Sequence, residues 1–208
     1  MNNYDGRTNG LLLLDLMRTL GASDAGNVGG FFDVPAEWRC PCCYRTKPEM
    51  ARLDKNGNLL CSVHLHHDHY CERFDIDVRK LSPGDFQFSR VVQDSLIRFP
   101  DTFICNDCNV TEPRAKKVVG APSYFTFAPV EIAYFITVSS DGEVSLDPDR
   151  AKRAYDAAIP TMKLLFERIQ SITKAVATGS DFEPLAASVG RVMSRLHANI
   201  INRKEAAE

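Results

Sequence analysis

The sequence predicts an α+β fold: a mixed, metal-binding region up to about residue 125, then a mainly α-helical region. Two Cys-x-x-Cys pairs predict the metal site. Short segments around them alternate apolar and polar residues as strands do, whereas 149–177 and 181–203 place apolar residues at helical spacing. We therefore expect three regions: an N-terminal helix and linker at 1–37, a zinc-containing core at 38–125, and a hairpin with helices at 126–208.

The composition is that of an ordinary folded protein. With 44% apolar residues among 208, the chain can bury a core, so disorder is not expected. The net charge of −2 argues against a protein that coats nucleic acid, but it leaves room for a local basic groove. No stretch approaches the roughly 20 apolar residues of a membrane span, and the run Leu11–Leu14 lacks a basic leader. We expect a cytoplasmic protein with no membrane partner.

The first half of the chain has clear local signals. An amphipathic helix is predicted at 8–21, and the glycine-rich stretch 21–30 predicts a loop. Asn56-Gly57 predicts a two-residue hairpin turn, whose second arm, 59–65, runs into a histidine cluster. The following residues, 71–97, are typical of an insertion.

The second half begins with a strand predicted at 99–104, which leads into the second cysteine pair. A helix is expected after it, ending at Gly120. Because Pro113 is costly deep inside a helix, we expect this helix to begin late, near Thr111. Farther on, the segment 140–143 predicts a hairpin turn before the long C-terminal helices.

Seven cysteines need an explanation, because an odd number fits a disulfide framework poorly. Each Cys-x-x-Cys turn can aim two thiolates at one ion, so Cys40, Cys43, Cys105 and Cys108 predict a tetrahedral zinc site. Four protein ligands leave no open position, which makes such a zinc structural. The alternative is a set of buried free thiols, and Cys42 is a competing ligand in the first turn.

Four of the five histidines lie within six residues, at His64, His66, His67 and His69. A regular strand would send His66 and His67 to opposite faces, so the strand must end or kink there if both serve one site. One alternative is a second zinc site, with ligands Cys61, His64, His69 and Cys71. The other alternative is a solvated patch of histidines.

Asn109 directly follows the second cysteine pair, and Glu112 follows three residues later. Taken alone, an asparagine at this point is typical of a helix cap or a turn. Asn109 is a candidate site residue because of the order of the segments around it. A cysteine pair comes first, then His-Leu-His-His-Asp-His, then Cys-Asn-Asp-Cys-Asn.

This order resembles the HNH nucleases, also called ββα-metal or His-Me finger endonucleases. The resemblance is greatest to the branch that contains recombination endonuclease VII, and it covers roughly residues 38–118. It implies a ββα-metal core stapled by a four-cysteine zinc site, and it implies hydrolysis of DNA phosphodiester bonds.

Residue by residue, the resemblance implies that His67 is the general base and that His66 and Asn109 hold a catalytic divalent ion. It implies that Glu112 lies near that ion, and His64, Asp68 and His69 are candidate supporting residues. The branch has Asp at the position of His66. A neutral imidazole lowers the negative charge of the site, so Mn²⁺ becomes an alternative to Mg²⁺.

The chemistry agrees with these roles. Hydrolysis of a phosphodiester needs an activated water and neutralisation of charge on the phosphoryl and leaving oxygens. A histidine is mostly neutral near pH 7 and can take a proton from water. Basic residues either contact the DNA phosphates or lie on a solvated helix face. The candidates for phosphate contacts are Arg90, Arg98, Arg114, Lys116 and Lys117.

Three functions are therefore open. The first is a metal-dependent endonuclease that acts on duplex or branched DNA. The second is a non-catalytic zinc module that binds nucleic acid or a protein. The third is the same nuclease held inactive by a regulatory protein partner. The C-terminal helices either pack as core or form a homodimer, which would suit an enzyme that cuts two strands with one metal per active site.

Overall fold

The computed structural model describes residues 6–69 and 97–178, and it has the mixed helix-and-strand architecture that the sequence predicts. The chain divides into two units. None of the helices in the described ranges is both long enough and apolar enough to cross a membrane. The first unit comprises 1–67 with 101–155, and the second comprises 68–100 with 156–208.

The N-terminal helix is present as α1 (Gly6–Leu20), close to its predicted bounds. The expectation of a plain loop after it was wrong, because 21–30 contains the short strand β1 (Ala25–Asn27). This strand pairs in parallel with residues 59–60 farther along the chain. The glycine-rich segment is therefore part of a sheet.

A short helix and a hairpin follow: α2 (Lys47–Met50), β2 (Arg52–Leu53) and β3 (Leu59–Leu60). The three strands form one sheet in the order β1-β3-β2. The turn is longer than predicted, since the Asp54 carboxylate accepts hydrogen bonds from the backbone N–H of both Asn56 and Asn58. Gly57 supplies the positive φ, at +79°, that the turn requires.

The second sheet is an antiparallel pair, β4 (Val63–His66) and β5 (Thr102–Cys105). Its register pairs Val63 with Cys105 and His66 with Thr102. The predicted continuous arm at 59–65 is in fact interrupted, because β3 and β4 belong to different sheets. Strand β4 ends at His66, as the histidine cluster required.

Helix α3 (Asn106–Val119) begins directly after β5, five residues earlier than predicted near Thr111. Pro113 lies inside it, where its missing N–H removes a single hydrogen bond to the carbonyl of Asn109. The acidic Asp107 in the first turn favours an early start, because it faces the positive end of the helix dipole. The helix ends at Gly120 as predicted, with φ of +66°.

The remaining elements are α4 (Pro129–Phe135), β6 (Ile136–Val138), β7 (Val144–Leu146) and α5 (Pro148–Thr178). The hairpin and the first long helix therefore confirm the sequence-based expectation. The insertion at 71–97, apart from residue 97, and the helix at 181–203 lie outside the described residues, so the dimer expectation is untested. The core of the first unit is built largely on aromatic side chains: Phe31, Phe125, Phe127, Phe135, with Leu59, Ile104 and Ile132.

Candidate metal centre and histidine cluster

Four cysteine side chains meet where the first Cys-x-x-Cys turn approaches the junction of β5 and α3. Their Sγ atoms lie within 4.8 Å of one another. The Sγ–Sγ distance is 3.8 Å for Cys40 and Cys108, and 3.7 Å for Cys43 and Cys105. A tetrahedral ion with Zn–S bonds of about 2.3 Å separates its sulfurs by roughly 3.8 Å. The group could therefore hold a metal ion such as zinc.

The backbone of the first turn is shaped for this arrangement. The N–H of Tyr44 donates to the carbonyl of Cys40 at 2.8 Å, and the N–H of Cys40 donates to the carbonyl of Arg45 at 3.0 Å. Tyr44 is left with φ of +61°, a left-handed conformation that is costly for a residue with a side chain. The N–H of Cys105 points at the Sγ of Cys40, 3.4 Å away. The backbone of the first turn thus positions its two thiols in the four-cysteine cluster. A backbone N–H of the second Cys-x-x-Cys segment points at one of these thiols.

Arg45 lies beside the cysteine cluster with its side chain almost fully buried. Its Nε donates to the Sγ of Cys43 at 3.3 Å, and an Nη lies 3.7 Å from the Sγ of Cys105. The same Nη donates to the carboxylate of Asp107 at 2.8 Å. Burial lowers the pKa of Arg45, but the bonds to Cys43 and Asp107 more than offset this and raise it. The guanidinium is a fixed positive charge beside the thiolates.

Cys42 and Cys61 are buried but do not belong to the cluster. A hydrogen bond to Cys108 lowers the pKa of Cys42, but a hydrogen bond to Cys40 and burial outweigh it and raise the value. Burial likewise raises the pKa of Cys61 to about 11, and its Sγ donates to the carbonyl of Lys47. Both are held as neutral thiols. The two-residue spacing therefore correctly predicted which cysteines of the first turn join the four-cysteine group.

The alternative second zinc site does not form within residues 6–69 and 97–178. There, the four cysteines are the only group of at least three His, Cys, Asp or Glu side chains whose ligand atoms lie within 4.8 Å of one another. Cys61 and His64 bond to different neighbours, and Cys71 lies outside these ranges.

His66, the last residue of β4, is 5% exposed. Its Nε2 lies 2.7 Å from the carbonyl oxygen of Phe127. A carbonyl only accepts hydrogen bonds, so Nε2 carries the hydrogen and, in the neutral ring, Nδ1 carries the lone pair. Histidines that bind metal commonly donate their other ring N–H to a backbone carbonyl in this way. The hydrogen bond to Phe127 therefore fixes the orientation of the His66 ring.

Glu112, in the second turn of α3, is also 5% exposed. Its Oε1 accepts a hydrogen bond of 3.1 Å from the backbone N–H of Phe127 and lies 4.0 Å from the Nζ of Lys116. The resemblance implied a position near the catalytic ion. In the structure, this carboxylate accepts a hydrogen bond from the backbone N–H of Phe127.

Asn109 is not the helix cap that its residue type first suggests, because Cys105 occupies the cap position. It is half-buried in the second turn of α3. Its carboxamide forms no hydrogen bond within the described part of the chain, and its carbonyl has no helical donor because Pro113 stands four residues later. The carboxamide oxygen of Asn109 thus has no hydrogen-bond partner within the described residues, whereas the ring of Pro113 crowds its backbone carbonyl.

His67 follows β4 and is half-buried. His64 shares a face of β4 with His66, since the two are separated by one residue. The Nε2 of His64 lies 3.1 Å from the Oδ1 of Asn106 and 3.3 Å from the Oγ of Ser62. Sequence reasoning missed Asn106, although it is the first asparagine of Cys-Asn-Asp-Cys-Asn and lies one turn before Asn109.

The basic residues of α3 do not all face the same way. At about 100° per residue, Lys116 lies about 20° around the helix from Asn109, Lys117 about 80° and Arg114 about 140°. Arg114 and Lys117 are exposed, whereas Lys116 donates to the carbonyl of Ser123 at 3.2 Å. Lys116 therefore shares the flank of Asn109, and Arg114 lies on the opposite side.

Asp68, His69 and Arg98 belong to the second unit. The Oδ2 of Asp68 accepts a hydrogen bond of 2.8 Å from the backbone N–H of Arg98, and His69 is half-buried. Arg98 itself is only 9% exposed, and its contact with phosphate stays a prediction. Arg90 lies outside the described residues.

Comparison of the chain with known proteins finds no matching family model, no significantly similar curated protein and no significantly similar solved structure.

Proposed function

We propose that this protein is a metal-dependent endonuclease of the HNH type that hydrolyses DNA phosphodiester bonds. The observation that carries the proposal is the junction of β4, β5 and α3. Cys105 and Cys108 bracket the start of α3, Asn109 is the next residue, and the register places His66 opposite Thr102, three residues before Cys105. Strand β5 thus links the two elements that carry the proposed catalytic residues, because it pairs with β4 and continues directly into α3 at the cysteine group.

Each residue of the proposed site has one role. His67 accepts the proton of the attacking water as the new P–O bond forms and the bond to the leaving oxygen breaks. His66, through Nδ1, and Asn109, through its carboxamide oxygen, hold a divalent ion, Mg²⁺ or Mn²⁺. When bound, such an ion neutralises the phosphoryl oxygens and stabilises the leaving oxygen.

The four cysteines are proposed as ligands of a structural zinc. A four-thiolate site has no open position for substrate, so its contribution is to folding and to the position of α3. Reduced thiols of this kind fit the cytoplasm. Lys116, on the flank of Asn109, is the basic residue of α3 best placed to contact the DNA backbone near the site, where it would give affinity without sequence readout.

The test is cleavage of DNA by the zinc-loaded full chain. Supercoiled plasmid, linear duplex and branched junctions are incubated with Mg²⁺, with Mn²⁺ or with EDTA, and the zinc bound per chain is counted. We expect divalent-ion-dependent nicking and one zinc per chain. A chain that binds DNA but never cuts it with any divalent ion is a non-catalytic zinc module, and two zinc ions per chain would support that reading. A His67→Ala preparation purified in parallel controls for contaminating nucleases.

A further inference from the structure

The backbone of Phe127 is held by the proposed site through its N–H and through its carbonyl, which belong to two successive peptide groups. Its N–H donates to Glu112 of α3, and its carbonyl accepts from the Nε2 of His66 at the end of β4. Both side chains are 5% exposed, so water competes little for these bonds. The backbone of this one residue therefore links β4 to α3.

Phe127 is itself fixed by packing. Its ring is fully buried and stands edge-on to the rings of Phe125 and Phe135, with centroids 4.7 Å and 4.8 Å away. Contacts of this geometry add to the stabilisation from burial and restrict the ring. The backbone of Phe127 is thus anchored by its own side chain as well as by Glu112 and His66.

We propose that Glu112 is a positioning residue, which fixes the backbone of Phe127 so that the carbonyl of Phe127 holds His66 in the tautomer with hydrogen on Nε2 and the lone pair on Nδ1. The effect on the divalent ion rests on the proposed function, but the effect on His66 does not. Glu112 reaches His66 through the backbone of one residue: its bond to the N–H of Phe127 fixes where the carbonyl of the same residue lies.

This role differs from that of a metal ligand in what the charge does. A ligand needs the negative carboxylate, whereas a support for the N–H of Phe127 needs only an acceptor oxygen. Glu112→Gln keeps an oxygen that can accept this bond and removes the charge. Glu112→Ala removes both.

The tautomer is read directly by ¹⁵N NMR of the histidine rings in the zinc-loaded full chain, with His66 assigned by its substitution. We expect a single Nε2–H tautomer for His66 in the wild type and in Glu112→Gln, and a mixture of tautomers in Glu112→Ala. Zinc content and circular dichroism verify that each variant is folded. Lys116→Met, which removes the ammonium 4.0 Å from the carboxylate, is expected to leave the tautomer of His66 unchanged.

Binding of Mn²⁺ is measured on the same samples. We expect Glu112→Gln to bind Mn²⁺ as the wild type does, and Glu112→Ala to bind it about tenfold or more weakly. The proposal is overturned if a folded Glu112→Ala keeps the wild-type tautomer, or if Glu112→Gln loses Mn²⁺ while His66 stays unchanged. If the wild type binds no Mn²⁺, the proposed function fails, and the tautomers alone decide the role of Glu112. If Glu112→Ala does not fold, Glu112→Gln decides it.

Discussion

The Nε of Arg45 lies 3.3 Å from the Sγ of Cys43, so a buried guanidinium donates a hydrogen bond directly to one of the cluster's sulfurs. Four thiolates and a divalent ion carry a net charge of about −2, which is costly to bury without compensation. Arg45 supplies a positive charge at the sulfurs. Its opposite Nη donates to the carbonyl of Gly142 in the turn between β6 and β7 at 2.7 Å. The metal centre is thereby tied to the neighbouring hairpin.

Arg45→Met is expected to weaken zinc binding about 10- to 100-fold, because it removes the hydrogen bonds to two sulfurs and the compensating charge. Competition with a chromophoric chelator measures the affinity. Arg52→Met is the matched control: Arg52 pairs with the same Asp107, at 2.7 Å, but is half-exposed and has no sulfur partner. Equal losses in the two variants would show that Asp107, and not the sulfur contact, is what matters.

Tyr44→Gly is expected to stabilise the zinc-loaded fold by about 1 kcal/mol, because glycine adopts the positive φ of this position without steric cost. The side chain is 61% exposed, so little packing is lost. Urea unfolding of the wild type, Tyr44→Gly and Tyr44→Ala measures the effect. The alanine variant keeps the strain and should gain nothing; a glycine variant less stable than the alanine variant would contradict the assignment of strain.

Because Lys47 is buried, we expect the free energy of unfolding to depend on pH. It is fully buried, and its Nζ donates to the Oδ1 of Asn9 and to the carbonyls of Phe31 and Val34, at 2.6, 2.7 and 2.9 Å. Burial lowers its pKa in the folded protein to about 8. Between this value and the ordinary value of 10.5, the unfolded chain binds more protons than the folded one, so stability from this group rises with pH.

Comparing the wild type with Lys47→Met isolates the pH-dependent contribution of Lys47 to stability. The variant should be less stable at pH 7, by about 2 kcal/mol, because it leaves buried acceptors without a donor. Its deficit should grow as the pH increases from 8 to 10, since only the wild type gains from releasing the buried charge. Urea unfolding at several pH values provides the measurement, and a deficit that shrinks or stays constant over this interval would contradict the lowered pKa.

Asn109→Ala is expected to raise the concentration of Mg²⁺ needed for half-maximal nicking by about tenfold or more, because it removes a proposed ligand oxygen. Asn109→Asp keeps an oxygen and adds a negative charge, so it should need less Mg²⁺ than the alanine variant. Nicking rates over a metal titration distinguish the three proteins. Identical metal curves for the wild type and Asn109→Ala would remove Asn109 from the ion site.

Local signals predicted those parts of the molecule that short segments determine. The spacing of Cys40 and Cys43 predicted the first half of the four-cysteine group, because a two-residue turn fixes where its thiols point. The end of β4 at His66 agrees with the condition that a strand must end or kink there if His66 and His67 are to serve one site. Gly120 marked the end of α3 through its left-handed φ.

Other parts depend on contacts that no local pattern encodes. Glu112 and the N–H of Phe127 are 15 residues apart, and their bond exists only because the chain turns back after α3. The early start of α3 was missed because Pro113 dominated the local signal, while Asp107 gains its two arginine partners, Arg45 and Arg52, from a distant segment. The burial of Lys47 beneath α1 was equally invisible in a sequence where lysine normally predicts exposure.

The most direct measurement is the single-turnover rate of plasmid nicking by wild-type protein and by His67→Ala, each zinc-loaded and at saturating Mn²⁺. With His67 as the general base, the variant should bind zinc and DNA normally and cut at least about 100-fold more slowly. If His67→Ala, folded and carrying its zinc, nicks the plasmid at the wild-type rate, then His67 is not the base and the catalytic assignment made here is wrong.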